Sequence, residues 1–411
     1  MNHYFFILLI TQFIVGIADN ALLIVVIAQL QEQSFPNWWI PILKVVFTVA
    51  YVLFAPFVGH ISDISPKRRV MLGATILKIV ACLFLLFNVH PFICLLIAGL
   101  GAAVYSPAKY GLATEMVDMS KLVKANAWLE VSTVLASIVG FLVGGYLVSD
   151  FVRGSSVSLK MADLFLMHSS LQLSISVLLM LLAFASVLTL YLPISGFLKP
   201  KDQHSSSDLL MEFQRSLYLF WRDASGRVSL CVTTLFWGVG ATMQLLVLSW
   251  AQEVLGLTLS QASYFQISGA IGMVIGAVIA ASTIHVSGAI KLTKLGIMIG
   301  LLMIAMTVVD EVGMASFLMA LIGLVCALLI VPFNALLQHR GKEILFPGQS
   351  IAVQNFCENS SVLVLSLSYS FLLAMGCSLN QLLNIFGIFI VVVIVLIMVL
   401  NQSVKSTKTE L

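Results

Sequence analysis

Twelve runs of almost unbroken apolar residues dominate this chain, at 4 to 30, 41 to 61, 70 to 87, 91 to 113, 125 to 149, 168 to 192, 227 to 250, 260 to 284, 291 to 309, 313 to 335, 350 to 373 and 379 to 401. A helix crosses a hydrocarbon core of about 30 Å in about 17 to 25 residues, a length these runs supply. Lipid offers the backbone no water, so each run is expected to close its hydrogen bonds within itself as a helix. The expected fold class is an all-α polytopic membrane protein with twelve transmembrane helices. Composition agrees, with 60% hydrophobic and 9% charged residues against about 25% charged in a soluble domain. The first run exceeds a signal-peptide core, lacks a basic leader and contains Asp19, so it is expected to remain as a span.

Lysine and arginine positions orient the spans. With both termini cytoplasmic, sixteen fall on the inside: Lys67, Arg68, Arg69, Lys121, Lys124, Lys199, Lys201, Arg215, Arg222, Arg227, Lys291, Lys294, Arg340, Lys342, Lys405 and Lys408. Only Arg153 and Lys160 fall outside, and Lys44, Lys78 and Lys109 stay in apolar runs. That asymmetry obeys the positive-inside rule. The net charge of +3 is spread over many loops, so no nucleic-acid partner is expected. Cys82, Cys94, Cys231, Cys326, Cys357 and Cys377 lie in apolar runs without metal or redox spacing, so they are expected as small buried hydrophobes, with no disulfide, metal or cofactor. No enzyme motif is present; His204 and Asp208 are separated by three residues within a polar linker, and no catalytic residues are expected.

The longest polar stretch, 193 to 226, carries "KPKDQHSSSD" and an amphipathic piece, "LLMEFQRSLYLFW". It separates six spans from six, giving expected domains of 1–192, a cytoplasmic loop 193–226, 227–401 and a cytoplasmic tail 402–411. The halves echo one another. "ANAWLEVSTVL" (125 to 135) aligns with "VQNFCENSSVL" (353 to 363), superposing Glu130 on Glu358, and "GIADNALL" (16 to 23) aligns with "GATMQLL" (240 to 246). Two parallel six-helix repeats joined by a long loop is the plan of the major facilitator fold, with substrate held between the halves. "GHISDISPKRRVM" (59 to 71) resembles that superfamily's loop between helices two and three. There Gly59 permits close packing, Asp63 caps helix three or pairs across the cytoplasmic face, and Lys67, Arg68 and Arg69 anchor at headgroups; a basic loop without a gating role is the alternative.

Ionisable groups inside the runs are the candidate site, since a charge at mid-bilayer costs about 3 kcal/mol and needs a partner or water. Asp19, beside Asn20, sits near the centre of the first span. Pro107 and Lys109 fall in "YSPAKYG" (105 to 111); Lys109 either snorkels to the cytoplasmic surface or faces the cavity and pairs with Asp19 or a substrate phosphate. Glu130 and Glu358 suggest a shared role at the interface between halves, with helix N-terminal stabilisation as the alternative. Lys78 is expected to face lipid and snorkel, and Lys44 to anchor with Trp38 and Trp39 in the interfacial belt. Gly140, Gly144 and Gly145 form a small-residue face for helix packing.

"IADNALL", "YVLFAPFVG", "GAAVYSPAKYG", "SKLVKANAWLEVST" and "IAVQNFCENS" together resemble the bacterial lysophospholipid transporter family of the major facilitator superfamily, across both halves. The resemblance implies movement of lysophosphatidylethanolamine and lysophosphatidylglycerol from the outer to the inner leaflet of a bacterial inner membrane. It also implies reacylation by a separate acyl-ACP-dependent acyltransferase, and a monomer among membrane lipids. It places substrate-binding or gating groups at Asp19, Asn20, Lys109 and Glu358, with Glu130, Gln244 and Asn359 beside them. The family pattern carries a base in helix seven where this chain has Gln244, so no ion pair to Glu358 forms there. Two rivals stay open at this point: a proton-coupled exporter of drugs or a small metabolite, and a non-transporting scaffold for an acyltransferase.

Overall fold

The computed structural model describes residues 3–33, 39–149, 152, 170–194, 206–257 and 259–409. Arg153, Lys160, Lys199, Lys201, His204 and Trp38 lie outside them, as do the side chains of Lys44, Trp39, Lys405 and Lys408.

The twelve expected spans are helices, and the amphipathic piece of the central loop adds a thirteenth. They are α1 (His3–Glu32), α2 (Trp39–Ile64), α3 (Lys67–Leu86), α4 (Pro91–Met116), α5 (Leu122–Leu147) and α6 (Ser170–Leu190), then the amphipathic α7 (Ser206–Arg222). The second half comprises α8 (Ala224–Glu253), α9 (Leu259–Thr283), α10 (Leu295–Met306), α11 (Val312–Ile344), α12 (Pro347–Ala374) and α13 (Leu379–Thr409). Among the described residues, eleven helical stretches are long and apolar enough to cross a membrane, that of α10 counted from Val286, and a shorter apolar stretch, Ile267–Thr283, lies in α9. Short 3-10 segments, Met119–Lys121 and Val286–Lys294, lead into α5 and α10.

Helix ends overrun the apolar runs where polar residues find partners. The run ending at 335 continues as α11 to Ile344, because Asn334, Gln338 and Arg340 all bond to side chains of neighbouring elements. Asp223 caps α8 by accepting from Gly226 N at 2.7 Å, as an acid at a helix start does.

Two compact units form: Met1–Met116, Ser132–Leu210 and Pro347–Ala352 in the first, Val117–Val131, Met211–Phe346 and Val353–Leu411 in the second. In the first, α1 packs on α4 and α6, α2 on α4, and α3 on α4 and α6. In the second, α8 packs on α11 and α13, α9 on α11, and α10 on α11 and α13. These are the same five pairings one repeat later, so the echo in sequence is a structural repeat. The first core joins Ala18, Leu22 and Val25 of α1 to Cys82 and Leu85 of α3, Cys94 and Leu95 of α4 and Ile175 of α6. The second centres on Phe236, Val239 and Trp250 of α8 with Met303, Leu329, Phe333 and Ile390.

Lipid supplies no hydrophobic drive between helices, so close backbone approach has to hold them. A methyl on Gly272 of α9 would collide with the carbonyl of Ala320, and one on Gly323 of α11 with that of Gly269. Gly323→Leu is therefore expected to lower the thermal midpoint of the purified protein, corresponding to about 1–3 kcal/mol of overpacking. An unchanged midpoint would remove this contact from the account.

Helices α5 and α12 divide between the units, the start of each belonging to the unit built mainly from the other half. Leu122, Val123 and Ala127 of α5 pack with Ala277 and Ala280 of α9 and with Val286 and Ala289 of the following 3-10 segment. The start of α12 is held by the α2–α3 turn instead, through polar contacts described next.

Candidate functional site

Asp19 projects from the middle of α1, where an ion without a partner is costly. Its partner is Lys78 of α3, whose Nζ donates to Asp19 Oδ2 at 2.6 Å. The Lys78 side chain is 1% exposed and that of Asp19 23%, so the pair has one dry member and one member open to its surroundings. The Lys78 ammonium also lies 5.3 Å from the centre of the Tyr105 ring on α4. Gly101 of α4 makes room for the lysine stem; a methyl there would come within 2.9 Å of Lys78 Cγ. The hydroxyl of Tyr105 is buried and has no hydrogen-bond partner among the described residues.

This arrangement corrects the expectation for Lys78 and gives Asp19 a partner not foreseen for it. Lys78 does not face lipid, because α3 is packed between α4 and α6 and turns Lys78 inward. Asp19 is hydrogen-bonded to Lys78, whereas Lys109 lies with its ammonium 4.2 Å from the Tyr110 ring centre. The linear order of residues carries no information on which face of α3 meets α1, and that face decided the partner. Asn20 donates to Gly16 O at 2.8 Å and to Ser137 Oγ of α5 at 3.4 Å. Gly140 and Gly144 bring α5 onto α1 at this level, a methyl on either meeting Ile17 or Ala21, whereas Gly145 meets nothing.

At the α2–α3 turn, Asp63 is 1% exposed and accepts from Gly348 N at 2.6 Å and Gln349 N at 2.8 Å. It thus caps the start of α12, where free N–H groups and the helix dipole favour a carboxylate. Asp63 does not cap α3, which follows Pro66 without a side-chain cap. Gly59 permits the approach, since a methyl there would come within 2.8 Å of Ala352 Cβ. Lys67 departs from the expected headgroup anchor: it is fully buried, donating to Ser62 O at 3.1 Å and pairing with Glu115 at 3.4 Å. Arg68 donates to the carbonyls of Leu190 and Leu192 at 3.2 Å, ending α6, and Arg69 is exposed.

In the second unit, α11 supports both repeat-equivalent helices. Gln338 and Asn126 of α5 exchange two hydrogen bonds of 2.9 Å. One turn earlier Asn334 accepts from Gln354 of α12 at 3.1 Å, and Gln354 also donates to Glu358 Oε1 at 2.7 Å. Glu130 and Glu358 are both buried, and Glu130 acts electrostatically on Glu358. Asn359 donates to Asn355 O at 2.8 Å, and Gln244 is half-buried. Asn126, Asn334, Gln338 and Gln354 were not singled out from sequence, although a signal existed: the alignment that superposes the two acids also superposes Asn126 on Gln354, an amide one turn before each acid. Asn126→Leu and Gln338→Leu are each expected to cost about 1–3 kcal/mol, by stranding the other amide. The double variant should cost less than their sum in a thermal-denaturation cycle; strict additivity would refute the pairing.

The sequence model described as Major Facilitator Superfamily matches residues 4–364. The chain belongs to that superfamily. Within the superfamily it is 35% identical to the "Lysophospholipid transporter LplT" of Photorhabdus laumondii over 369 residues, covering 90% of this chain and 88% of the relative. Proteins of the same name from Shigella boydii and Escherichia coli O1:K1 are each 36% identical over the same shares. The outward structure of the superfamily transporter FucP superposes with a TM-score of 0.73 at 13% identity, covering 97% of this chain and 99% of FucP. A bacterial homologue of the iron transporter ferroportin gives 0.70 at 16%, covering 98% and 100%.

As a member of the superfamily the chain is a transporter, not an enzyme. Its two repeats are not equivalent in charge. The position of Asp19 corresponds to Thr242, and α10, the counterpart of α3, has no ionisable residue. The first repeat carries the ion pair, whereas the amide and carboxylate ladder joins Asn126 of the first repeat to Gln338 of the second and continues through Asn334, Gln354 and Glu358.

Proposed function

We propose that the chain moves lysophospholipids, with lysophosphatidylethanolamine and lysophosphatidylglycerol as substrates, from the outer to the inner leaflet of a bacterial inner membrane by alternating access. The observation that carries this reading is the 35–36% identity over 90% of the chain to proteins named lysophospholipid transporters. The Asp19–Lys78 pair suits such a substrate: a headgroup phosphate competes for Lys78, and the amine of an ethanolamine headgroup for Asp19. A ligand shifts a conformational equilibrium only by binding its states differently, and exchanging the partners of a semi-exposed ion pair does this. Losing one acyl chain lowers the cost of extraction by about 0.8 kcal/mol per CH₂, so rocking of the repeats suffices to move the lipid.

Both termini are assigned to the cytoplasm on the distribution of lysine and arginine. On that topology the Asp63 cap on α12 lies at the cytoplasmic end and acts as its latch, with the two six-helix repeats as the moving bodies. Glu130, Gln244, Glu358 and Asn359 line the second half of the route, and Lys109 attracts the phosphate toward the inner leaflet. The chain works as a monomer and delivers its lipid to a separate acyl-ACP-dependent acyltransferase. Uptake of radiolabelled lysophosphatidylethanolamine by spheroplasts lacking their own transporter should appear with this chain and be absent without it. No uptake by correctly inserted protein would overturn the reading.

A further inference from the structure

The amphipathic helix α7 has one broad apolar face, and only part of it is used for packing. Phe220 is fully buried with Leu230 of α8, Leu337 of α11 and Val353 of α12, while Phe213 and Leu217 pack against the same group. Phe213 adds an edge-on contact to Phe356 of α12, with ring centres 5.4 Å apart. The rest of that face holds Leu210, Met211, Tyr218 and Trp221, each about half exposed or more. A helix of this kind lies in a bilayer interface, its uncovered apolar and aromatic groups among lipid.

Between α7, α8 and α12 lies an open groove of ≈ 490 Å³, lined by Gln214, Leu217, Tyr218 and Trp221 of α7 and by Cys231, Thr234 and Cys357. That size is within the range of about 300–1,000 Å³ of small-molecule sites. Its lining is almost wholly apolar, with the Thr234 hydroxyl lacking a hydrogen-bond partner among the described residues. Two arginines contact its aromatic lining residues. The Arg222 guanidinium lies 5.7 Å from the Tyr218 ring centre, and Arg227 donates to Trp221 O at 3.4 Å. Neither forms an ion pair among the described residues, whereas the neighbouring Asp223 is occupied by Arg340 and by Gly226 N. An apolar slot with two cations beside its aromatic lining, neither in an ion pair among the described residues, fits a chain that carries an anion at one end.

We infer that this groove binds an anionic diacyl phospholipid of the surrounding leaflet, one acyl chain entering beneath α7 and the phosphate held by Arg222 and Arg227. The site is separate from the Asp19–Lys78 pair, so the inference stands whether or not the transported substrate is a lysophospholipid.

The test places the full-length protein in phosphatidylcholine nanodiscs containing a minor fraction of acyl-brominated lipid. Bromine quenches indole, and the Trp221 signal is the emission of the parent minus that of Trp221→Phe. Brominated phosphatidylglycerol is expected to quench this signal at about tenfold lower mole fraction than brominated phosphatidylcholine, given two arginines at the headgroup. The preference should vanish in Arg222→Gln/Arg227→Gln, and in Cys231→Phe, which fills the slot without adding an indole. Equal quenching by both lipids in the parent would leave α7 as a surface helix and overturn the inference. So would a preference that survives in the double arginine variant, or one that lysophosphatidylglycerol or inorganic phosphate removes at equal concentration.

Discussion

Asp19→Asn is expected to abolish lysophospholipid uptake and to leave the protein markedly less stable. The substitution keeps the shape of the side chain but removes the charge that Lys78 meets at 2.6 Å. Lys78 is then a buried ammonium with no carboxylate, a situation that costs about 3–5 kcal/mol when one partner of a buried pair is removed. At 1.36 kcal/mol per factor of ten, that corresponds to roughly a hundredfold to several thousandfold in any step that depends on the pair. Lys78→Met should behave alike, by stranding the carboxylate. The informative variant is the double one, Asp19→Leu/Lys78→Met. Replacing both members of a buried pair with apolar groups is often neutral or stabilising, so its thermal midpoint should return toward that of the parent while spheroplast uptake of labelled lysophosphatidylethanolamine stays absent. Restored uptake would make the pair a structural tie with no part in transport.

Asp63→Ala tests the other end of the first unit. It deprives Gly348 N and Gln349 N of their shared carboxylate, and hydrogen bonds to a charged group contribute about 1.5–3 kcal/mol. Most of that loss should fall on the population in which α12 is docked, giving a drop in uptake of roughly tenfold or more with a smaller change in thermal midpoint. Hydrogen exchange at the amides of Gly348 and Gln349 should accelerate. Asp63→Glu should fail as well, because Gly59 and Gly348 approach so closely that a methyl on Gly348 would sit 2.6 Å from Asp63 Oδ1. Unchanged exchange at both amides in Asp63→Ala would refute the cap.

Much of the architecture was legible before any coordinates. Twelve spans, their repeat and the transporter fold follow from the length and spacing of apolar runs, because a bilayer leaves a chain of this composition few alternatives. The α7 helix was visible as a pattern of apolar and polar residues within the central loop. Individual candidates were visible too: Asp19, Glu130 and Glu358 are conspicuous because acids are costly inside apolar runs, and Asp63 because it stands in a recognisable loop pattern.

Partners were harder to foresee. Lys78 and Lys109 are equally basic and both lie within an apolar run, and only the rotation of α3 against α1 and α4 gave Asp19 to Lys78. Lys67 resembled its exposed neighbour Arg69 until the turn folded over it and set it against Glu115. Asn126 and Gln338 are separated by 212 positions, a distance over which local pattern says nothing. The sequence alone determined what had to be helical, buried in lipid and repeated, since those follow from the solvent each residue prefers. Tertiary structure alone decided which charges meet, because a hydrogen bond formed inside a membrane depends on helix rotation and depth to within an ångström, and transfer free energies do not encode either.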